Sequence, residues 1–431
     1  MNRGYPDIST RTWNALKAEG NVKRRPGPFM KNIAVLKNTI RDYTWGSQTA
    51  LAELLGRPTP SDKPQAELWM GAHPIAPSML CVGGKWKSLL ELVREYPEEI
   101  LGKKVAARFS GTLPFLFKVL AAEKPLSIQA HPTREQAESG FARENKLGIP
   151  LDAPQRNYKD GNHKPEIICA LTEFWALKGF RPIAEILGLL ENLQVPSLKQ
   201  EAQILQRHPD REGLQRFFRH VMTMDEERRQ RVTEEVAASV LAKNDPSAVW
   251  KWMFRLQQQY PEDTGVLSPV LLNLVKLEPG EAIYLPAGEL HTYLRGVGME
   301  LMANSDNVLR GGLTLKHIDV PELLNVLNFA DGEVHLLKPI ECLPGEALYP
   351  APATEFALSV IDVGTGTLYE SQRERSVEIM ICAQGEATIS ELPGGEVTTL
   401  TRGVSILVPA AVEQYVIEGN AKMYKASVPQ V

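Results

Sequence analysis

The chain has 431 residues, of which 43% are hydrophobic, so it is long enough for two or three domains with sizeable cores. The formal net charge of −4 argues against nucleic acid or an anionic membrane as the main partner, and no obligatory protein partner is evident. No apolar run approaches the ~18 residues of a transmembrane helix, and the four cysteines are scattered without a C-x-x-C pair, which is typical of reduced thiols in a cytoplasmic protein.

The first 29 residues contain charges and prolines but no apolar segment of the kind that a secretory signal requires. We predict that they form a disordered extension and that the folded part begins at Met30. From there to about residue 182, short apolar stretches alternate with turn residues. The predicted strands in this part cover residues 30–36, 66–74, 115–122 and 166–171, and a helix is predicted over residues 89–101.

At about residue 181 the pattern changes to a helical spacing of apolar residues. The predicted helices cover residues 183–193, 198–207, 213–222, 225–243 and 247–260, with Asp225 as the N-cap of the fourth. We therefore predict a helical domain over residues 183–265. It is inserted between residues 30–182 and 266–330, which together form one catalytic domain.

Residues 277–296 and 400–419 form an internal repeat, with Leu, Gly, Pro-Ala and a final Gly at one constant offset. Each copy has a turn, a short strand, a Pro-Ala turn and a second strand, a pattern typical of a jelly-roll β-sandwich. The predicted fold class is mainly β with an α-helical insertion, comprising two jelly-roll sandwich domains and the helical domain. His291 of the first copy aligns with Gln414 of the second, so residues 331–431 are expected to form a domain without a metal site.

The segment K-P-L-S-I-Q-A-H ends at His131, and strand alternation places Ser127, Gln129 and His131 on one face. Alone, this pattern is more often a solvated strand face. Two other polar motifs contribute Glu166, in N-H-K-P-E, and His291, in L-P-A-G-E-L-H. Two imidazoles, a carboxylate and an amide oxygen suit Zn²⁺ with an open position for water or substrate.

Each candidate ligand also has a structural interpretation. Glu166 could pair with Lys164, and His291 could serve only the turn in which it lies. His163 is a competing ligand, but strand alternation after Pro165 favours Glu166.

A further motif, G-M-E-L-M-A-N-S-D-N-V-L-R-G-G-L-T-L-K, ends at Lys316. Arg310 precedes two glycines, which allow the backbone to approach a ligand closely. Together with Lys124 and Lys164, these cations suit a phosphate, although each one taken singly could be a solvated surface charge.

The motifs S-I-Q-A-H-P, N-H-K-P-E-I, L-P-A-G-E-L-H-T-Y-L and M-E-L-M-A-N-S-D-N-V-L-R-G-G-L-T-x-K together resemble those of the type I phosphomannose isomerases. The segments A-E-L-W-M-G-A-H-P and D-Y-T-W-G match that family as well, and the resemblance covers residues 30–329. It includes no nucleotidyltransferase domain of the bifunctional type II enzymes. The resemblance implies a cupin enzyme with one Zn²⁺ per chain and a helical insertion. Such an enzyme interconverts mannose 6-phosphate and fructose 6-phosphate and feeds mannose and GDP-mannose metabolism.

The resemblance also implies roles for individual residues. The implied zinc ligands are Gln129, His131, Glu166 and His291; the implied catalytic residues are Arg310, Glu300, Lys164 and Tyr293; and the implied substrate or phosphate contacts are Lys124, Ser127, Lys316, Trp45 and Glu67. Isomerisation needs a base that moves a proton between C1 and C2, and an electrophile at the sugar oxygens, which zinc can supply. We favour Glu300 as the base, with Lys164 and Tyr293 as alternatives.

For Glu300 to reach the site, we expect residues 295–298 to turn the chain into a hairpin that places Glu300 across from Tyr293. The structural alternative is a Glu300 paired with Arg295 or Arg310. A metal-dependent oxygenase and a non-catalytic sugar-phosphate sensor are the rival functions. The amide ligand and the cations count against the first, and the retained proton-transfer candidates count against the second.

Overall fold

The computed structural model describes residues 31–243 and 245–429, so the extension predicted over residues 1–29 lies outside the described residues. The strands are β1 (Ala34–Lys37), β2 (Thr39–Arg41), β3 (Glu67–Gly71), β4 (Met79–Val82), β5 (Lys85–Ser88), β6 (Phe115–Ala122), β7 (Ile128–Ala130), β8 (Glu166–Ala170), β9 (Phe174–Phe180), β10 (Leu272–Leu277), β11 (Ala282–Leu285), β12 (His291–Ala303), β13 (Leu309–Gly312), β14 (Ile340–Leu343), β15 (Glu346–Leu348), β16 (Ala357–Val363), β17 (Leu368–Glu370), β18 (Glu378–Leu392), β19 (Val397–Thr401), β20 (Ser405–Val408) and β21 (Gln414–Ser427).

The helices are α1 (Ala50–Leu54), α2 (Leu89–Glu95), α3 (Pro97–Leu101), α4 (Lys103–Arg108), α5 (Arg134–Lys146), α6 (Ile183–Leu193), α7 (Lys199–Arg207), α8 (Arg211–Met222), α9 (Glu226–Ala242), α10 (Ala248–Gln259), α11 (Ser268–Leu271) and α12 (Val320–Val326). The single helix predicted over residues 89–101 is divided between α2 and α3 at Tyr96, because the residue before a proline disfavours the helical conformation. Within the described ranges, no helix is long and apolar enough to cross a membrane.

Strand β12 is the centre of the catalytic sandwich. Its first part, from His291 to Arg295, pairs with β7 and β9, and its second part, from Gly296 to Ala303, pairs with β6 and β8. The remaining strands extend these pairs antiparallel: β10 joins β9, β13 joins β7, β11 joins β8, and β3 followed by β2 joins β6. One strand therefore connects the polar segments of β7 and β8.

The prediction of a hairpin over residues 295–298 is wrong, because β12 continues through this stretch. The register shifts between Tyr293 and Arg295, which marks a β-bulge. Gly296 has φ 131°, and a Cβ there would lie 2.7 Å from the carbonyl oxygen of Glu173, so only glycine fits. A bulge adds one residue and reverses the alternation of side chains. Glu300 consequently lies on the same face as Tyr293 without any turn.

The helical block runs from α6 to α11 and has its own apolar core, which includes Phe217, Trp250 and Leu256. The carboxylate of Asp225 accepts a hydrogen bond of 2.8 Å from the backbone N–H of Arg228 and caps α9 as predicted. The same core continues into the sandwich through neighbours of the polar motifs, Ile128, Leu290 and Leu309. Packing on the helical block thereby fixes the strands that carry the candidate site.

The C-terminal strands β14–β21 form a second sandwich whose longest pairing joins β18 to β21. Strand β20 also pairs with β1, at Ala34 and Leu407, so the N-terminal strands β1, β4 and β5 extend this sheet. One apolar cluster contains Phe117 and Ile167 from the first sandwich and Tyr424 from the second. The two sandwiches therefore share buried core.

Candidate active site and metal centre

Three buried side chains converge near the ends of β7, β8 and β12. His131 follows β7, while Glu166 and His291 are the first residues of their strands. His131 Nε2 lies 3.3 Å from Glu166 Oε1, and His291 Nε2 lies 3.6 Å from Glu166 Oε2. One ligand atom from each residue falls within 4.8 Å of the others. A single carboxylate thus faces two imidazoles, as a metal site requires.

A backbone carbonyl orients each imidazole. His131 Nδ1 lies 2.7 Å from the carbonyl oxygen of Asn307, and His291 Nδ1 lies 2.8 Å from that of Glu289. These contacts place the proton on Nδ1 and leave the Nε2 lone pair free for a metal. Within the described chain, both Nε2 atoms are buried without a hydrogen-bond partner. A buried polar atom without a partner is costly, and an ion beside Glu166 would satisfy both.

The pKa values of His131 and Glu166 also favour metal binding. Burial, reinforced by the positive charge of Lys164, lowers the pKa of His131 to about 4, so its imidazole is neutral at physiological pH. Burial raises the pKa of Glu166, but Lys164 and His131 offset this and hold it well below its usual range. The carboxylate is therefore ionised and ready to bind a cation.

Lys164 Nζ lies 3.0 Å from Glu166 Oε1, which is the pairing considered as the alternative to metal binding. The same carboxylate faces both histidines, so the two interpretations are compatible. The competing His163 makes its contact elsewhere, because its Nε2 lies 2.7 Å from Glu355 Oε1. Glu166 is thus the residue of this motif that meets the histidines.

Gln129 lies on β7 directly opposite His291 on β12, and opposite Arg310 on β13. Directly opposed residues project from the same face of a sheet. The amide of Gln129 therefore shares a face with His291, which fits a fourth oxygen ligand. Its role as a ligand stays a prediction.

A buried asparagine that the sequence analysis did not single out ties a loop to this centre. Asn307 Oδ1 accepts hydrogen bonds from the backbone N–H groups of Lys159 (2.7 Å) and Asp160 (3.2 Å), and Nδ2 donates to the carbonyl of Asn162 (2.9 Å). Since the carbonyl of Asn307 also orients His131, the polar loop before Lys164 and the His131 ring are fixed together.

A second buried cluster lies on β3, β6 and β12. Lys118 Nζ is 2.8 Å from Glu300 Oε2 and 3.4 Å from Glu67 Oε1. Trp69 Nε1 donates to Glu67 Oε2 at 2.8 Å, and the Lys118 ammonium lies 5.5 Å from the centre of the Trp69 ring. Glu300 is thus paired with Lys118, and not with Arg295, whose nearest carboxylate is that of Glu123 at 3.5 Å.

Lys118 was missed, although the sequence contained a signal for it. It is the one charged residue in F-L-F-K-V-L-A-A, a strand that is buried along its whole length. A lysine in such a strand needs a buried partner. Lys124, the predicted phosphate contact, is exposed, and its backbone N–H donates to the Trp45 carbonyl at 3.1 Å. Its ammonium makes no hydrogen bond or ion pair within residues 31–243 and 245–429.

Tyr293 connects the two clusters. Its hydroxyl donates to Glu166 Oε2 at 3.5 Å and also interacts with the carboxylate of Glu300. Burial and these two negative charges hold the pKa of Tyr293 well above its usual value, so the phenol stays protonated. Burial also raises the pKa of Glu300, and Lys118 offsets this only in part. Burial lowers the pKa of Lys118, but the carboxylates of Glu300 and Glu67 raise it by more. The side chain therefore stays a charged ammonium.

Three cations, Arg310, Lys316 and Lys159, lie close enough for their charges to interact. Arg310 is half-buried, and its guanidinium makes no hydrogen bond or ion pair in the part of the chain that the structure describes. Partial burial lowers the pKa of Lys316, and the charges of Arg310 and Lys159 act in the same direction. Lys159 was not among the predicted residues. The half-buried Ser127 lies directly before β7, two residues before Gln129.

Three family models match the chain. They describe the catalytic domain of type I phosphomannose isomerase (residues 33–183), its helical insertion domain (residues 189–272) and the cupin domain of mannose-6-phosphate isomerase (residues 346–428). The mannose-6-phosphate isomerase of Escherichia coli K12 is 42% identical over 392 residues, which cover 90% of this chain and 97% of that protein. The chain belongs to the type I phosphomannose isomerase family. The human mannose-6-phosphate isomerase is 35% identical over 405 residues, which cover 87% of this chain and 93% of that protein.

Solved phosphomannose isomerases have the same fold. The Salmonella typhimurium mannose 6-phosphate isomerase bound to fructose 6-phosphate and zinc superposes with a TM-score of 0.86 at 38% identity, covering 92% of this chain and 100% of that one. A zinc-bound mannose 6-phosphate isomerase superposes with the same TM-score and identity. The predicted family, enzyme class and fold class are confirmed. The domain boundaries and the roles of individual residues stay predictions.

Proposed function

We propose that this site interconverts D-mannose 6-phosphate and D-fructose 6-phosphate by proton transfer between C1 and C2 through an enediol(ate). The observation that carries the proposal is the pair of buried Nε2 atoms, on His131 and His291, which face one ionised carboxylate and have no hydrogen-bond partner in the described chain. The choice of sugar phosphates follows from the family to which the chain belongs. The structure of the Salmonella relative contains fructose 6-phosphate and zinc.

His131, Glu166 and His291 would hold one Zn²⁺, with Gln129 as the fourth ligand. Zinc bound there supplies a Lewis acid that polarises the sugar oxygens. The proton transfers and the binding of the phosphate are left to the chain's own side chains.

Glu300 is the base that we assign to the C1/C2 proton. Its raised pKa makes its carboxylate a stronger base than an ordinary glutamate. The Lys118 ammonium at 2.8 Å balances the carboxylate charge and stabilises negative charge that develops on the sugar. The protonated Tyr293 phenol is a hydrogen-bond donor there and not a base.

Lys164 is the group that we assign to ring opening. Its ammonium lies 3.0 Å from Glu166, so it stays at the edge of the metal centre as a proton donor to the ring oxygen. Among the three candidate bases we favour Glu300, because Tyr293 retains its proton and Lys164 is paired with a carboxylate.

We assign the phosphate to Arg310 and Lys316, with Ser127 as a hydrogen-bond donor. Arg310 has no competing carboxylate within the described ranges, and its guanidinium can bind a phosphate with two hydrogen bonds. Lys124 remains a proposed outer contact, while Trp45 and Glu67 remain proposed pocket-lining residues. Glu67 would act through Lys118, to which it lies 3.4 Å away.

Metal analysis combined with a coupled assay tests the proposal. The purified protein should contain about one zinc per chain, lose turnover of fructose 6-phosphate after chelation and regain it on addition of zinc. Unphosphorylated fructose serves as the matched control substrate and should be turned over poorly. Iron with oxygen consumption would indicate the oxygenase instead. Binding of fructose 6-phosphate by the zinc-loaded protein without any turnover would indicate the sensor.

We place this reaction in the cytoplasm, where it would supply mannose 6-phosphate for the synthesis of GDP-mannose. Support comes from the four cysteines, Cys81, Cys169, Cys342 and Cys382, which are all free thiols. Thiols of this kind are typical of a reducing compartment.

A further inference from the structure

Glu355 lies in the segment before β16, and its carboxylate contacts the two chain segments that carry the candidate ligands His131 and Glu166. Its Oε1 accepts hydrogen bonds from Arg134 Nη2 at 2.9 Å and from His163 Nε2 at 2.7 Å. Its Oε2 accepts from the backbone N–H and the hydroxyl of Thr354, at 3.2 and 3.1 Å. Glu355 is only 4% exposed, although its donors come from distant parts of the chain.

The two donors occupy matching positions in the chain. Arg134 comes three residues after His131, and His163 comes three residues before Glu166. One carboxylate therefore joins the two segments whose side chains must meet to hold a metal. Arg134 also donates to Asn162 Oδ1 at 3.2 Å, which adds a direct link between the same two segments.

We propose that Glu355 is a positioning residue, through which the C-terminal cupin domain holds His131 and Glu166 at ligand distance. The inference rests on the proposed function, since it assumes that these residues bind zinc. Glu355 touches neither candidate ligand and acts through Arg134 and His163. Groups that hydrogen-bond a metal ligand directly change metal affinity by about 10–100-fold when they are removed, so a residue one contact further out should act at the lower end of that range.

Loss of stability alone must be separated from loss of positioning, and the same domain offers a matched control. Glu346 is 5% exposed, and its carboxylate lies 2.8 Å from Lys425 Nζ. Its other side-chain hydrogen bonds come from Ser359 and Tyr369. Glu346→Gln therefore removes a buried charge from the same domain without touching either ligand segment.

The experiment compares zinc-loaded Glu355→Gln, Glu355→Ala and Glu346→Gln with the wild type. Zinc affinity is measured by competition with a chelator, and melting temperature is measured with and without zinc. We expect both Glu355 variants to bind zinc about tenfold more weakly, and Glu346→Gln to stay within about twofold of the wild type. Equal zinc affinity in all variants would overturn the proposal. So would a loss of affinity in Glu346→Gln that matches the loss in Glu355→Gln.

A double substitution tests the route. If Glu355 acts through His163, then Glu355→Ala combined with His163→Gln should weaken zinc binding no more than Glu355→Ala alone. Additive losses would show that the two residues act separately and would overturn the route. These readouts do not depend on turnover. A wild type that binds zinc without isomerising the sugar would refute the proposed function and leave the positioning result intact.

Discussion

Glu300→Gln separates proton transfer from every other role of the site. The substitution keeps the size of the side chain and leaves an amide oxygen as an acceptor for Lys118 Nζ, which lies 2.8 Å from the carboxylate. It removes the proton acceptor. Loss of one general acid–base group should lower kcat by ~10²–10⁴, which corresponds to about 2.7–5.4 kcal/mol in activation free energy at 1.36 kcal/mol per tenfold. KM should change little, because Glu300 is not a proposed phosphate contact.

The same change has a cost in stability that must be controlled. The Lys118 ammonium loses its nearest negative charge and retains that of Glu67, at 3.4 Å. Breaking a buried ion pair costs about 3–5 kcal/mol when one partner is left unpaired, and we expect less here because the amide and Glu67 remain. Glu346→Gln removes the same type of charge beside Lys425, at 2.8 Å, far from the proposed chemistry. Both variants should lose stability, but only Glu300→Gln should lose kcat.

Three quantities are measured for each variant: turnover of fructose 6-phosphate, zinc content, and incorporation of solvent deuterium at the carbon that receives the proton. Exchange should fall in parallel with kcat, and zinc should remain bound at about one per chain. Turnover within tenfold of the wild type, with zinc retained, would refute the assignment of Glu300. The role of the base would then move to Lys164.

The remaining predictions concern metal, phosphate and pH. His291→Ala should remove zinc and activity together, whereas Gln414→Ala should leave both unchanged; loss of metal in the second variant, measured by elemental analysis, would contradict a single site. Lys316→Ala and Lys124→Ala should each raise KM for the phosphorylated sugar by about tenfold, or about 1.4 kcal/mol, with little change in kcat; steady-state kinetics showing an unchanged KM would remove that lysine from the phosphate site. Burial raises the pKa of Glu355, but its hydrogen-bond donors lower it to about 2, below the ordinary 4.5. The stabilising contribution of Glu355 is therefore complete above pH 4.5 and is lost as pH falls towards 2. In urea titrations of metal-free protein, the difference in unfolding free energy between wild type and Glu355→Gln should shrink over that range. A constant difference would contradict the assignment.

Elements with a strong local period were predictable from the sequence. The bounds of β6 and α6 agree with the predicted residues, because each has an uninterrupted apolar pattern of the right length. The R-G-V-G stretch was misread because glycines suggest a turn in a local reading. Here the positive φ of Gly296 belongs to a bulge inside a long strand. Whether the glycine forms a turn or a bulge depends on the close approach of Glu173 and Phe174, from β9 and the turn before it.

The site was predictable where it depends on alternation and motifs, and not where it depends on distant pairing. Strand alternation predicted that Gln129 alternates with the buried Ile128 and Ala130, and it does so on β7, opposite His291. The partners of Lys118 and of Glu355 are 182 and 192 residues away in the chain, at Glu300 and His163. No local pattern encodes such pairs. A buried lysine indicates only that some carboxylate must exist, and the fold determines which one.

The two sandwiches solve the same electrostatic problem in different ways. Glu166 begins β8 and pairs with Leu285, and Glu378 begins β18 and pairs with Val408, which occupies the position of Leu285 in the internal repeat. A carboxylate buried at this position needs a positive charge nearby. In the second sandwich the chain supplies that charge itself, because Lys425 Nζ lies 3.2 Å from Glu378.

In the first sandwich, Lys164 lies 3.0 Å from one oxygen of the corresponding carboxylate, but that carboxylate also faces the imidazoles of His131 and His291. The hydroxyl of Tyr415 donates to Glu378 at 2.9 Å, so the second carboxylate is satisfied from within its own domain. An ammonium attached to the chain cannot offer a sugar an open coordination position, whereas an ion held between His131 and His291 can. We therefore expect the same strand frame to form a closed structural core in the second sandwich and, once an ion is held between His131 and His291, a reactive centre in the first.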